Sequence, residues 1–192
     1  MNPIRPPFLL SILFAVTLTG CTSGTVSQLA SNELSKGSNA ARLSVSSPAF
    51  FAGGAIPSKY AADNGNVSPP LQWSGAPGTA VEYVLIVEDP DAPMPSPFLH
   101  WIAFRIPPGA TSLPEDAGNT ALVAQGVNGT GNTGYYGPKP PPGKAHRYFF
   151  QLFALNAPLG ARDGATREEV MKAMAGKIVG AGSLIGSFKT AK

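Results

Sequence analysis

The chain has 192 residues, with 14 lysines and arginines against 11 aspartates and glutamates, for a formal net charge of +3. That bias is too small to mark a nucleic-acid binder, and no basic run interleaved with aromatics adds to it. A single cysteine excludes an internal disulfide, and the length suits about one domain.

Residues 1–20 have the order of a secretory signal: Arg5 first, then an apolar run from Phe8 to Leu18 that is too short for a comfortable permanent span. The run closes on Leu18-Thr19-Gly20-Cys21, which resembles the lipobox of bacterial lipoproteins. There a small residue fits the peptidase, and only a thiol forms the thioether to diacylglycerol. The alternative is an ordinary cleaved signal with an incidental Cys21. Cleavage before Cys21 would leave 172 residues with a net charge of +2, because Arg5 alone is lost among the charged groups. Acyl chains on Cys21 would hold the protein to a membrane without a spanning helix. Residues 21–41 are small, polar and without period, and read as a flexible tether.

From Arg42 the texture changes, and residues 42–192 read as one domain large enough to bury a core. Residues 81–88 (VEYVLIVE), 99–106 (LHWIAFRI) and 146–155 (HRYFFQLFAL) are β-branched and aromatic runs bounded by Pro, Gly, Asn and Asp, and "RLSVSSPAF" alternates briefly. This is the pattern of an antiparallel-rich β fold. The 20 prolines and 22 glycines predict many stiff connections. One helix is predicted after Thr166, whose spacing to Glu169 is that of a capping box, with Val170, Met171, Met174 and Ile178 on its apolar face. A short final strand is expected from about Ser183.

Candidate chemistry lies where strands meet loops. Asp89 and Asp91 end the 81–88 strand in "EDPDAP", where Ala92-Pro93 is a candidate cis peptide. Taken alone, Asp89 is a turn cap and His100 a half-buried strand residue bonded to a carbonyl. His146 follows "GPKPPPGKA", a segment short of N–H donors and rigid before any ligand arrives. Rigid loops carrying Gly and His suit a small-anion pocket.

"DPDAP", then "HW" with His100 eleven residues after Asp89, then "GYYGPKPPPGKAHRY" resemble the phosphatidylethanolamine-binding protein family, most of all its bacterial Raf-kinase-inhibitor-like branch. "NVSPPLQWSGAP" at 66–77 and "GSLIGSF" near the C-terminus extend the resemblance over about residues 43–192. It implies a mainly β fold: a central antiparallel sheet, a second small sheet and a few short peripheral helices. It also implies a cavity for phosphate or a phospholipid headgroup, lined by Asp89, His100, His146 and Tyr148, with Gly137 and Pro141 in its loop wall. Bacterial relatives commonly carry Cys in the Gly-Pro-x-Pro-Pro segment where this chain has Lys139, which either adds a cation at the mouth or points into water.

The expected protein is therefore an exported, lipid-anchored binding module of the bacterial envelope, without cofactor or catalytic residue. In a Gram-negative host, Thr22 after the Cys favours the periplasmic side of the outer membrane. Its partners would be a small anion and, by analogy with inhibitory members of the family, a protein such as a protease or kinase. The alternatives are a metal-dependent enzyme using Asp89, His100 and His146, or an interaction domain with a relic pocket. No Gly-x-Ser-x-Gly elbow supports serine hydrolysis.

Overall fold

A computed structural model describes residues 28–34 and 39–190. The expected signal at 1–20 and the expected lipidation site, Cys21, lie outside the described residues. Among the described residues nine strands form: β1 (Ala41–Arg42), β2 (Ser44–Ser46), β3 (Leu71–Ser74), β4 (Glu82–Asp89), β5 (Phe98–Ile106), β6 (Ser112–Leu113), β7 (Ala124–Gln125), β8 (His146–Leu155) and β9 (Ile178–Phe188). Two α-helices accompany them, α1 (Ala30–Leu34) and α2 (Arg167–Met174). The larger sheet runs β1-β9-β8-β4-β5-β7, antiparallel except for β1 beside β9, and β2-β3-β6 make a small second sheet. The fold is thus mainly β, with a central sheet, a second small sheet and few short helices.

The strand period of two explains the layering, because alternate side chains leave opposite faces. On β4, Tyr83, Leu85 and Val87 join Tyr148, Phe150 and Leu152 of β8 in a core closed by Leu71, Trp73 and Leu113 of the small sheet. Val84 and Ile86 face the other way, with Phe153 and Leu155, into a core closed by Val170, Met171 and Met174 of α2. Each large side chain buried in this way contributes about 1.5–3 kcal/mol. With both faces covered, every residue of β4 is buried. Polar groups at its end are therefore held in place rather than solvated.

The capping box is present: Thr166 Oγ1 accepts from the Glu169 N–H, and a Glu169 carboxylate oxygen accepts from the Thr166 N–H. The helix is shorter than its apolar pattern suggests. Gly176 takes φ +76°, the left-handed region that glycine enters without strain, and the chain then re-enters the sheet. Ile178 opens β9 instead of extending the helix face, so the last strand starts five residues before the expected Ser183.

Two other expectations need correction. The Ala92–Pro93 peptide is trans, since no cis bond occurs among the described residues. Part of the expected tether is docked: Leu29 and Ala30 are buried, the Ala30 N–H donates to Glu88 Oε2 at 2.9 Å, and the Ser31 N–H donates to Gln151 Oε1 at 2.7 Å.

Candidate functional site

The site is built where β4 runs out of sheet. Its last residue, Asp89, opens the Asp-Pro turn and accepts the Asp91 N–H on Oδ1 at 2.8 Å, the local capping geometry of such turns. Asp91 in turn takes a two-point contact from Arg147, Nε to Oδ2 at 2.8 Å and Nη2 to Oδ1 at 2.6 Å, and also the Arg147 N–H. This fork fixes the start of β8 against the turn. His146, the first residue of β8, therefore lies beside Asp89, with Nδ1 donating to Asp89 Oδ2 at 2.7 Å.

His100 arrives by a different device. Val87 pairs with Trp101, but the next residue, Glu88, pairs with Leu99, so β5 carries one extra residue between them. That residue is His100. The bulge turns it out of strict alternation and onto the face of Tyr148, whose ring it meets edge-on at 5.0 Å between centroids. His100 Nδ1 lies 2.6 Å from the Tyr136 carbonyl oxygen, and its ring stacks on Tyr136 at 6.0 Å and 18°.

These side chains enclose a cavity of about 280 Å³, whose walls include Asp89, His100, His146, Tyr148, Pro141 and Lys139. Five of the six residues the sequence placed around a ligand thus meet here. Gly137 does not line the cavity. Its N–H donates to Asn66 Oδ1 at 2.8 Å, and a Cβ there would collide with the Tyr60 carbonyl oxygen. Its smallness serves the packing of the loop on residues 60–62. Sequence reasoning missed Tyr136, Phe98 and Met94, which supply apolar wall. Tyr136 sits within "GYYGP", where the paired tyrosines were the available signal. Lys139 is among the wall residues, while its ammonium is held by Asp63 Oδ1 at 2.6 Å.

Burial dominates the electrostatics. It depresses the pKa of His100 to about 4, with the Tyr136 and Gly137 carbonyls offsetting only part of the effect, so the ring is neutral near pH 7. The single proton of that neutral ring sits on Nδ1, against the Tyr136 carbonyl, and Nε2 is left as an acceptor. Burial also raises Asp89, opposed by the His146 hydrogen bond, and raises Tyr148, which stays a phenol. The Tyr148 hydroxyl is buried and its hydrogen meets no acceptor, although the Lys139 backbone N–H lies close enough to its oxygen to offset a little of the rise. Arg147 holds Asp91 below the usual carboxylate range. As for a metal, no three His, Cys, Asp or Glu side chains among the described residues come together as a ligand set.

A sequence model described as phosphatidylethanolamine-binding protein matches residues 46–189. A UPF0098 protein of Methanothermobacter thermautotrophicus is 43% identical over 151 residues, 77% of this chain and 99% of the relative. A UPF0098 protein of Chlamydia trachomatis is 39% identical over 152 residues, 77% of this chain and 99% of that protein. Among solved structures, a phosphatidylethanolamine-binding protein homologue from Chlamydia trachomatis superposes with a TM-score of 0.72 at 38% identity, over 80% of this chain and 100% of that one. Escherichia coli YbcL, described as a member of the mammalian PEBP family, gives 0.73 at 28% identity over 78% and 99%. The family model, these relatives and the two-sheet fold agree, and the chain belongs to the phosphatidylethanolamine-binding protein family.

Proposed function

We propose that this domain is a non-enzymatic binding module whose cavity holds a small oxyanion, either free phosphate or the phosphate of a phospholipid headgroup. The observation that carries the reading is the Tyr148 hydroxyl: a buried donor with no partner, in a cavity it shares with His100 and the His146–Asp89 pair. A buried polar group left unmatched costs about 1–3 kcal/mol, and a ligand oxygen that accepts its hydrogen removes that cost. Pro140 and Pro141 stiffen the wall, so little ordering entropy is lost on binding. The leader and Leu-x-Gly-Cys21 support anchoring through an acylated Cys21 in the bacterial envelope, at the periplasmic face of the outer membrane in a Gram-negative host.

The test is a titration of inorganic phosphate and then phosphoethanolamine into the purified full-length chain in a non-ionic detergent, followed through the ring signals of His100 and His146 by NMR. With two histidines in the chain, one substitution assigns both. Saturable shifts of both rings support the reading; two silent rings in a folded protein refute it. Anchoring is checked separately, by incorporation of labelled palmitate in cells and its loss in Cys21→Ser.

A further inference from the structure

The hydrogen-bond polarity of the cavity narrows the ligand class, on the reading above that an oxyanion binds there. Both imidazoles spend Nδ1 on an acceptor of the protein: His100 on the Tyr136 carbonyl at 2.6 Å, His146 on Asp89 Oδ2 at 2.7 Å. A neutral imidazole has one N–H, so each ring keeps Nε2 as a lone pair. The neutral state of His100 is secured by its burial. His100 has no carboxylate against it and stays an acceptor.

The remaining charged and titratable neighbours do not reverse this. Asp91 and Arg147 neutralise each other in their two-point contact, and the Lys139 ammonium is bonded to Asp63. Tyr148 is a donor, whereas the Tyr136 carbonyl is already occupied by His100. The cavity thus offers one donor, Tyr148 Oη, together with the His100 lone pair and the Asp89 carboxylate. A fully deprotonated oxyanion meets that donor well and sets its own lone pairs against the other two groups.

We infer that the cavity selects oxyanions that carry a hydrogen of their own, so that the ligand donates to His100 Nε2 while accepting from Tyr148 Oη. That hydrogen comes either from a P–OH group, as in inorganic phosphate, or from the ammonium of a headgroup phosphodiester such as glycerophosphoethanolamine. Sulfate and dimethyl phosphate have the shape and charge of an oxyanion and no hydrogen to give. The selection is by a mismatched lone pair in a buried site, a device that discriminates strongly because the wrong ligand leaves a polar group unpaired.

Calorimetry on the full-length chain in non-ionic detergent tests this with inorganic phosphate, sulfate, dimethyl phosphate and glycerophosphoethanolamine. At about pH 8 phosphate and sulfate are both mainly dianions, so they differ chiefly in the one hydrogen. Phosphate or glycerophosphoethanolamine should bind at least about tenfold tighter than sulfate and dimethyl phosphate. Whichever of the two binds tighter names the source of the hydrogen. His100→Gln, whose amide can turn an N–H toward the ligand, should bring sulfate to within about threefold of phosphate. Sulfate or dimethyl phosphate binding the unaltered protein less than about tenfold more weakly than the tighter of phosphate and glycerophosphoethanolamine overturns the inference and leaves oxyanion binding standing. If none of the four binds, the oxyanion reading itself fails and the inference falls with it. The comparison in the unaltered protein decides the matter even if the His100 variant does not fold.

Discussion

Two carboxylates stand next to each other at the end of β4 and have opposite fates. Glu88 faces the helical layer and is completely buried, yet each oxygen is matched: Oε1 takes Arg167 Nε at 2.6 Å, and Oε2 takes Gln151 Nε2 at 2.7 Å and the Ala30 N–H at 2.9 Å. Asp89 faces the other layer and has the Asp91 N–H and His146 Nδ1, in a cavity that still holds an unmatched hydroxyl. The first site is closed by groups of the chain itself. The second is left with valences that only something from outside can meet. Burial alone therefore does not mark a ligand site; incomplete hydrogen bonding in a space large enough to enter does.

Glu88→Ala gives the largest expected effect. It leaves the partly buried Arg167 guanidinium without its main counter-charge and strips partners from Gln151 and Ala30, which should cost about 3–5 kcal/mol in urea denaturation. Asp89→Ala removes two acceptors beside a cavity that water can enter, and should cost about 1–2 kcal/mol. Ligand binding should respond in the reverse order, lost in Asp89→Ala and kept by whatever fraction of Glu88→Ala is folded. Equal stability costs, or unchanged binding in the Asp89 variant, would erase the contrast.

Acid sharpens the same contrast through His100. Its folded pKa of about 4 lies below the ordinary 6.5, so the unfolded chain binds a proton that the folded one refuses. Its contribution to stability is complete above about pH 6.5 and declines as pH falls toward 4, by about 3 kcal/mol in all. Asp89 acts with the other sign: its raised pKa means that protonation relieves the folded state, so acidification restores stability there. The two partly cancel in the unaltered protein. The test is the difference between the pH–stability curves of the unaltered chain and His100→Gln. The His100 variant should lose the decline between 6.5 and 4 and keep the acid gain from Asp89. Parallel curves would mean that His100 is protonated without penalty.

Deleting residues 28–34 probes Glu88 from the other side, removing the Ala30 donor and the buried Leu29 together. A loss of about 2 kcal/mol is expected, mostly from Leu29, with oxyanion affinity unchanged. In Glu88→Ala the same deletion should cost measurably less, because the two changes share a partner. Additive costs would show that the segment packs on the domain without relying on Glu88.

What could be read in the sequence follows from range. β4, β5 and β8 lie within a residue of their expected positions, because period and composition are local. The Thr166–Glu169 box is four consecutive residues and was equally visible. The convergence of Asp89, His100, His146 and Tyr148 came through the resemblance, not through any spacing. The local accounts of Asp89 as a turn cap and His100 as a carbonyl-bonded strand residue also hold, alongside their place in the cavity. What escaped depends on residues far apart in the chain. The docking of 28–34 rests on Arg167 reaching Gln28, 139 positions away, and on Glu88, 58 positions from Ala30. The bulge at His100 is a matter of register between two strands, and nothing in "FLHWIAF" states it. Gly137 was placed in the ligand wall by the resemblance alone, and its packing against Tyr60, 77 positions away, is not written in the loop.

Lys139 carries the smallest expected effect and separates charge at the cavity mouth from the chemistry inside it. Its ammonium is bonded to Asp63 at 2.6 Å in an exposed pair, with both side chains more than half accessible. Such pairs are screened by water and salt, so Lys139→Ala should leave the denaturation midpoint unchanged within error. Its charge is already answered by Asp63, and phosphate affinity should fall by less than about threefold at physiological ionic strength. Asp63→Ala is the more informative partner. It releases the ammonium of a residue that lines the cavity, and the freed cation can swing to the mouth. Affinity should then rise a few-fold at low salt, with the gain vanishing as salt is added. Loss of binding in Lys139→Ala would place the ammonium inside the site and make the Asp63 contact a resting position that the ligand displaces.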